Sequence, residues 1–213
     1  MRPMVTVVDY GRSNLLSVRR ALEHCGADVR FAAEPEEILC SKALVLPGVG
    51  AFADGMAQLH RQHLVEPLLQ KAGEGTPLLG ICLGMQMLLD SSTEGGFNKG
   101  LGLVDGTVEP LPPQTADGSP LKVPHIGWSA LTLAQEGERG LLKNTKNGDE
   151  VYFVHSFQAM PYRREDCAAT VEYGGHTVCA AVQRGNVTGF QFHPEKSGPA
   201  GLAMLRAFVE GLG

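Results

Sequence analysis

The chain has 213 residues, 43% hydrophobic, 6% aromatic and 19% charged, with 18 basic against 23 acidic side chains for a formal net charge of −5. Those proportions describe one globular domain and exclude a disordered or coiled-coil chain, and the lack of any like-charge block excludes nucleic acid and anionic membrane surfaces as partners. Apolar runs such as Pro77–Ile81 and Met85–Leu89 fall far short of the roughly 20 residues of a membrane span; with no secretory signal at Met1–Val5 and five cysteines lacking a CxxC pair, the expected setting is cytoplasmic, with free thiols.

Met4–Val8 is a β-branched apolar run ending in Asp9-Tyr10-Gly11, the pattern of a buried strand that stops at a turn. Ser13 or Asn14 can cap the helix that follows, with Leu15, Val18 and Leu22 at helical spacing and Gly26 as its stop. A strand over Asp28–Phe31 leads to a short helix from Pro35 to about Cys40. Ala43–Leu46 is a fully apolar strand entering the glycine loop Pro47–Gly50. Helices are expected over Gly55–His63 and Val65–Ala72, a strand over Thr76–Ile81 and a helix over Leu83–Leu89.

From Leu101 onward the pattern turns to strands: Leu103–Val108, Tyr152–Gln158, Ala168–Tyr173, Thr177–Gln183 and Val187–Phe192. Pro110–Pro120 and Ala134–Asp149 read as surface loops, and Gly201–Glu210 as a closing amphipathic helix. The whole implies an α/β fold: an open, mixed, mostly parallel sheet with helices on both faces and a strand-rich second half.

Gly80-Ile81-Cys82-Leu83-Gly84 sets a cysteine between two glycines where a strand gives way to a helix, the form of a nucleophile elbow. The small flanking residues let neighbouring backbone approach, and the helix N-terminus favours a negative charge on the sulfur. The amide of Leu83 then points at an incoming oxyanion. The bland alternative is a small core cysteine. His193-Pro194-Glu195 supplies a base and the carboxylate that orients it, because residues two apart in an extended chain share a face and Pro194 keeps His193 extended. Taken alone, a histidine is more often structural, but His193 sits at the end of the apolar segment Thr188–Phe192, where open α/β sheets place chemistry.

The loop Pro47–Gly50 offers the N–H of Val49 or Gly50 as a second oxyanion donor through a peptide flip. Its GxGxxA spacing also matches a dinucleotide fingerprint loosely, yet it does not follow the first strand and lacks the downstream acidic partner, so no nucleotide cofactor is expected. His60 and His63 have no further ligand to complete a metal site, and no metal is expected either.

These segments resemble a known family. Gly80 through Gln86, with the distant His193-Pro194-Glu195, is similar to the triad class of glutamine amidotransferases. Val8–Gly11, Pro47–Phe52, Pro124–Trp128, Tyr152–Phe157 and His193–Ser197 resemble the branch of it that forms the glutaminase subunits of imidazole glycerol phosphate synthases, along essentially the whole chain. The resemblance implies Cys82, His193 and Glu195 as a catalytic triad, Val49, Gly50 and Leu83 as oxyanion donors, and Gln86, Glu94, Ser156 and Phe157 around the glutamine substrate. It also implies contact through His125, Ile126, Trp128, Tyr152 and Lys196 with a separate cyclase subunit, a (β/α)8 barrel, that takes up the ammonia. An amidotransferase serving aminobenzoate or purine synthesis, and a non-catalytic module of the same fold, are the alternatives.

Overall fold

The structure, a computed structural model, describes residues 2–11, 14–134 and 140–212. In chain order the strands and helices are β1 (Met4–Val8), α1 (Leu15–His24), β2 (Asp28–Ala32), α2 (Pro35–Leu39), β3 (Leu44–Gly48), α3 (Phe52–Arg61), α4 (Val65–Gly73), β4 (Leu78–Cys82) and α5 (Leu83–Met87). They continue as β5 (Leu89–Ser92), β6 (Asn98–Lys99), β7 (Val104–Pro110), β8 (His125–Leu133), β9 (Glu150–His155), β10 (Phe157–Pro161), β11 (Cys167–Tyr173), β12 (His176–Arg184), β13 (Val187–Phe190) and α6 (Gly198–Glu210).

The sheet runs β2-β1-β3-β4-β13-β12-β10-β7-β5-β6. Strands β2, β1, β3, β4 and β13 are mutually parallel, so all five end on one edge. β11 branches off β12 and leads through β8 to β9. Of these, β1, β3, β4 and β13 are buried on both faces, as inner strands of a covered parallel sheet are, whereas the edge strand β2 leaves Asp28 and Arg30 exposed. In β1, Val5 and Val7 pack with Val18 and Leu22 of α1 and Leu205 and Phe208 of α6. Val8 faces the other way, into a core with Leu44, Leu46, Phe52, Leu59 and Leu68. Among the described residues no helix is long and apolar enough to cross a membrane.

The first half follows the expected alternation, with differences at the boundaries. Asn14 stands at the start of α1 without a capping hydrogen bond from its side chain; the other expected cap, Ser13, lies outside the described residues, as does part of the Ala134–Asp149 loop. α3 begins at Phe52, three residues before the expected Gly55, because its first free N–H is met from far along the chain: Phe52 donates to Glu94 Oε2 at 2.7 Å. The helix expected over Leu83–Leu89 stops at Met87, and β5 starts at Leu89. There the N–H groups of Leu101 and Leu103 bond the carbonyls of Met87 and Leu88, pulling the chain into the sheet. The single strand expected over Tyr152–Gln158 is two, β9 and β10, which break at Ser156, whose carbonyl accepts from Leu111 N–H instead of a ladder partner. β8, over His125–Leu133, has no counterpart among the sequence expectations.

Candidate functional site

The parallel strands deliver the candidate groups to their common carboxyl edge, where open α/β sheets bind ligands. Gly48 at the end of β3 is in register with Cys82 at the end of β4, and Phe190 of β13 with Ile81. Cys82 has φ 54° and ψ −111°, a backbone conformation that side chains rarely adopt. The elbow is held by close backbone approach. A Cβ at Gly84 would land on the carbonyl oxygen of Leu46, and one at Gly80 would sit 2.8 Å from the N of Met85. Leu83 opens α5, so its N–H has no acceptor within the helix.

Cys82, 7% exposed, lines a cavity of about 330 Å³ with Val49, Gly50, Leu83, Gln86, Glu94, Pro124, Val154, His155, Ser156, Phe157 and His193. His193 Nδ1 lies 2.8 Å from Glu195 Oε1, with both side chains buried. The segment does not run extended through Glu195 as the sequence suggested. His193 is extended, but Pro194–Lys196 is a 3-10 turn, and the carboxylate comes back under the imidazole through that turn. The turn is pinned: Ser197 Oγ donates to the His193 carbonyl at 2.6 Å and accepts from Tyr152 N–H at 3.0 Å, while His193 N–H donates to the Tyr152 carbonyl.

With Nδ1 committed to Glu195, Nε2 of His193 is the nitrogen left for chemistry; it is buried with no hydrogen bond. Burial by itself pulls the imidazole toward the neutral form. The Cys82 sulfur and the Glu195 carboxylate outweigh it and raise the pKa of His193 to about 9. A sulfur, an imidazolium and a buried carboxylate in series can attack a carbonyl carbon and protonate a leaving group.

The remaining expected residues fall into two groups. Gln86, Glu94, Ser156 and Phe157 line the same cavity as Cys82. Gln86 Nε2 donates to the Phe157 carbonyl at 3.1 Å and to Gln191 Oε1 at 3.0 Å, which leaves its own carbonyl oxygen for the cavity. Ile126 and Trp128 project from β8 into solvent, 53% and 52% exposed, and Trp128 packs edge-on against Tyr152 of β9. Lys196 is exposed at the end of the Pro194–Lys196 turn.

His125 does not join that surface. Strand side chains alternate, so with Ile126 and Trp128 outward His125 points inward, 2% exposed, between Phe153 and Tyr173. Its Nδ1 is 3.1 Å from His155 Nε2, and His155 Nδ1 is 2.8 Å from the Phe157 carbonyl. That carbonyl can only accept, so His155 donates from Nδ1 and accepts at Nε2 from His125. Burial, the main cause, lowers both pKa values to about 4, and the pair is neutral at neutral pH.

Two residues against the site, His155 and Gln191, are not among the sequence expectations, although Gln191 lies two residues before His193 and so on the same side of an extended segment. Gln191 is fully buried, and its Nε2 donates to Cys82 Sγ at 3.9 Å.

The chain matches the family described as glutamine amidotransferase class-I over residues 6–212. It is 47% identical over 209 residues to a Legionella pneumophila protein named imidazole glycerol phosphate synthase subunit HisH 1, covering 97% of this chain and 98% of that one. Against the protein named imidazole glycerol phosphate synthase subunit HisH from Moorella thermoacetica the identity is 44% over 210 residues, covering 99% and 95%. Among solved structures, PurLQS from Thermotoga maritima superposes with a TM-score of 0.76 over the full length of both chains at 21% identity. A crystal structure of a glutamine amidotransferase gives 0.73 at 18%, covering 97% of this chain and 98% of that one. At those identities the two structures speak for the fold alone.

Proposed function

The chain belongs to the class-I glutamine amidotransferase family, and on that premise we propose that Cys82 is its nucleophile, His193 its general acid and base, and Glu195 the carboxylate that fixes the imidazole. The observation that carries this reading is the strained cysteine at the end of β4 sharing one cavity with His193. The sulfur attacks the carboxamide carbon of glutamine. The oxyanion so formed is met by the N–H of Leu83 and, once the peptide turns, by that of Val49 or Gly50. His193 gives its proton to the departing ammonia and leaves a glutamyl thioester; the neutral imidazole then takes a proton from water, whose attack frees glutamate and the sulfur. Glu94 holds the substrate ammonium and Gln86 offers its carbonyl oxygen, with the backbone at Ser156 and Phe157 walling the pocket. No cofactor takes part.

The relatives are named as subunits of imidazole glycerol phosphate synthase. We therefore place this chain, as one domain acting in the cytoplasm, as the glutaminase subunit that passes ammonia to a separate cyclase of (β/α)8-barrel fold, which makes imidazole glycerol phosphate and aminoimidazole carboxamide ribonucleotide. Ile126, Trp128, Tyr152 and Lys196 supply the contact. An exposed Trp with aliphatic neighbours is the kind of anchor that dominates interfaces, and β9, which carries Tyr152, also bonds the backbone of His193. A glutamate-release assay with and without the cyclase and its nucleotide ligand tests this. Release should be low for the chain alone and rise in the complex, and Cys82→Ala should be inactive in both; equal release by the chain alone would contradict the partner-driven part.

A further inference from the structure

We propose that Gln191 is a positioning residue for Cys82, one that donates its amide N–H to the sulfur and thereby holds it as a charged nucleophile. The proposal deepens the glutaminase reading and rests on it. The sense of the amide follows from its neighbours. The Phe157 carbonyl can only accept, so the Gln86 atom 3.1 Å from it is the nitrogen. That same nitrogen is 3.0 Å from Gln191, which must present its oxygen there. The NH2 of Gln191 is therefore turned the other way, to Cys82 Sγ at 3.9 Å. Two glutamines locked head to tail between a backbone carbonyl and the nucleophile ensure that Gln191 turns its donor and not its own oxygen to the sulfur, whose other hydrogen-bond neighbour is the Val154 carbonyl at 4.0 Å.

The pair lies away from water, where a hydrogen-bond dipole acts at low dielectric. The titratable groups around the sulfur are His193 after β13, Glu195 in the turn behind it, His155 at the end of β9 and Glu94 after β5. Of these, His193 must surrender its proton during the reaction. An amide does not titrate, so donation from Gln191 persists whichever way that proton has gone.

The test is the rate of Cys82 alkylation by iodoacetamide against pH in the purified chain, with the adduct located by mass spectrometry. Gln191→Leu removes the donor; Gln191→Glu keeps the shape and puts a carboxylate oxygen toward the sulfur. Alkylation at pH 7 should fall about tenfold in Gln191→Leu, the scale of a lost hydrogen bond to a charged group. It should fall further in Gln191→Glu, with both profiles, and that of kcat for glutamate release, displaced to higher pH. If Gln191→Leu does not fold, the near-isosteric Gln191→Glu carries the test alone. Profiles that superimpose on the parent chain overturn the role of Gln191. Retained turnover in Cys82→Ala is a different outcome, which removes the nucleophile assignment itself.

Discussion

At Cys82 the backbone is strained so that one side chain can stand alone at the sheet edge. A non-glycine residue at φ 54° and ψ −111° costs on the order of 1–3 kcal/mol. Both Cys82→Ala and Cys82→Gly should abolish glutamate release, but in urea denaturation the glycine variant should be the more stable by about 1 kcal/mol, since only it relaxes at positive φ. Equal stability would mean that the elbow stores no strain. The sulfur should also be felt at His193. With Cys82 replaced by alanine, the pKa of that imidazole should drop from about 9, since one of the two groups raising it is gone; an unmoved NMR titration would contradict the coupling. The cysteine was legible in the sequence because two glycines frame it. Gln191 was not, because its spacing from His193 gives only a shared side and names no partner, and its partners, Gln86 and Cys82, are joined to it only by the parallel packing of β4 against β13.

At the scale of elements, the glycines of the elbow act through contact. Gly84→Ala drives a methyl into the backbone carbonyl of Leu46, which cannot swing aside as a side chain could, and should destabilise the fold by about 3 kcal/mol or more. A thermal or urea midpoint within error of the parent would contradict it. The alternation of β8 decides the fate of its residues: Ile126 and Trp128 go to solvent and His125 to the core, a distinction that spacing alone already contained but that a motif read as a block concealed. The buried pair it forms has a pH signature. Because the folded pKa values of His125 and His155 lie near 4, below the ordinary 6.5, the unfolded chain takes up protons first as pH falls. Their contribution is whole above about 6.5 and is lost as pH drops through about 4. Denaturation midpoints at pH 7 and pH 5 should therefore differ less in His155→Gln than in the parent. Where element boundaries were missed, at the starts of α3 and β5, the deciding hydrogen bonds came from residues distant in sequence, such as Glu94.

For the whole molecule, the order of parallel strands brings the loop after β3, the elbow after β4 and the turn after β13 to one edge, and β9 closes over them through the Tyr152 backbone. The alternation of buried strands and helices made that architecture readable; the branch through β11, β8 and β9 was not, because long-range antiparallel pairing leaves only weak local patterns. That branch carries the proposed docking surface. Trp128→Ala should weaken cyclase binding by at least tenfold, the effect of losing a central aromatic anchor, and leave the fold intact; unchanged affinity by calorimetry would remove Trp128 from the interface. The most direct trial of the central claim is covalent labelling by a diazoketone analogue of glutamine, mapped by mass spectrometry. The account predicts a single adduct on Cys82, prevented by excess glutamine and greatly slowed in His193→Ala. A chain that hydrolyses glutamine while the label lands on another cysteine, or on none, would contradict it.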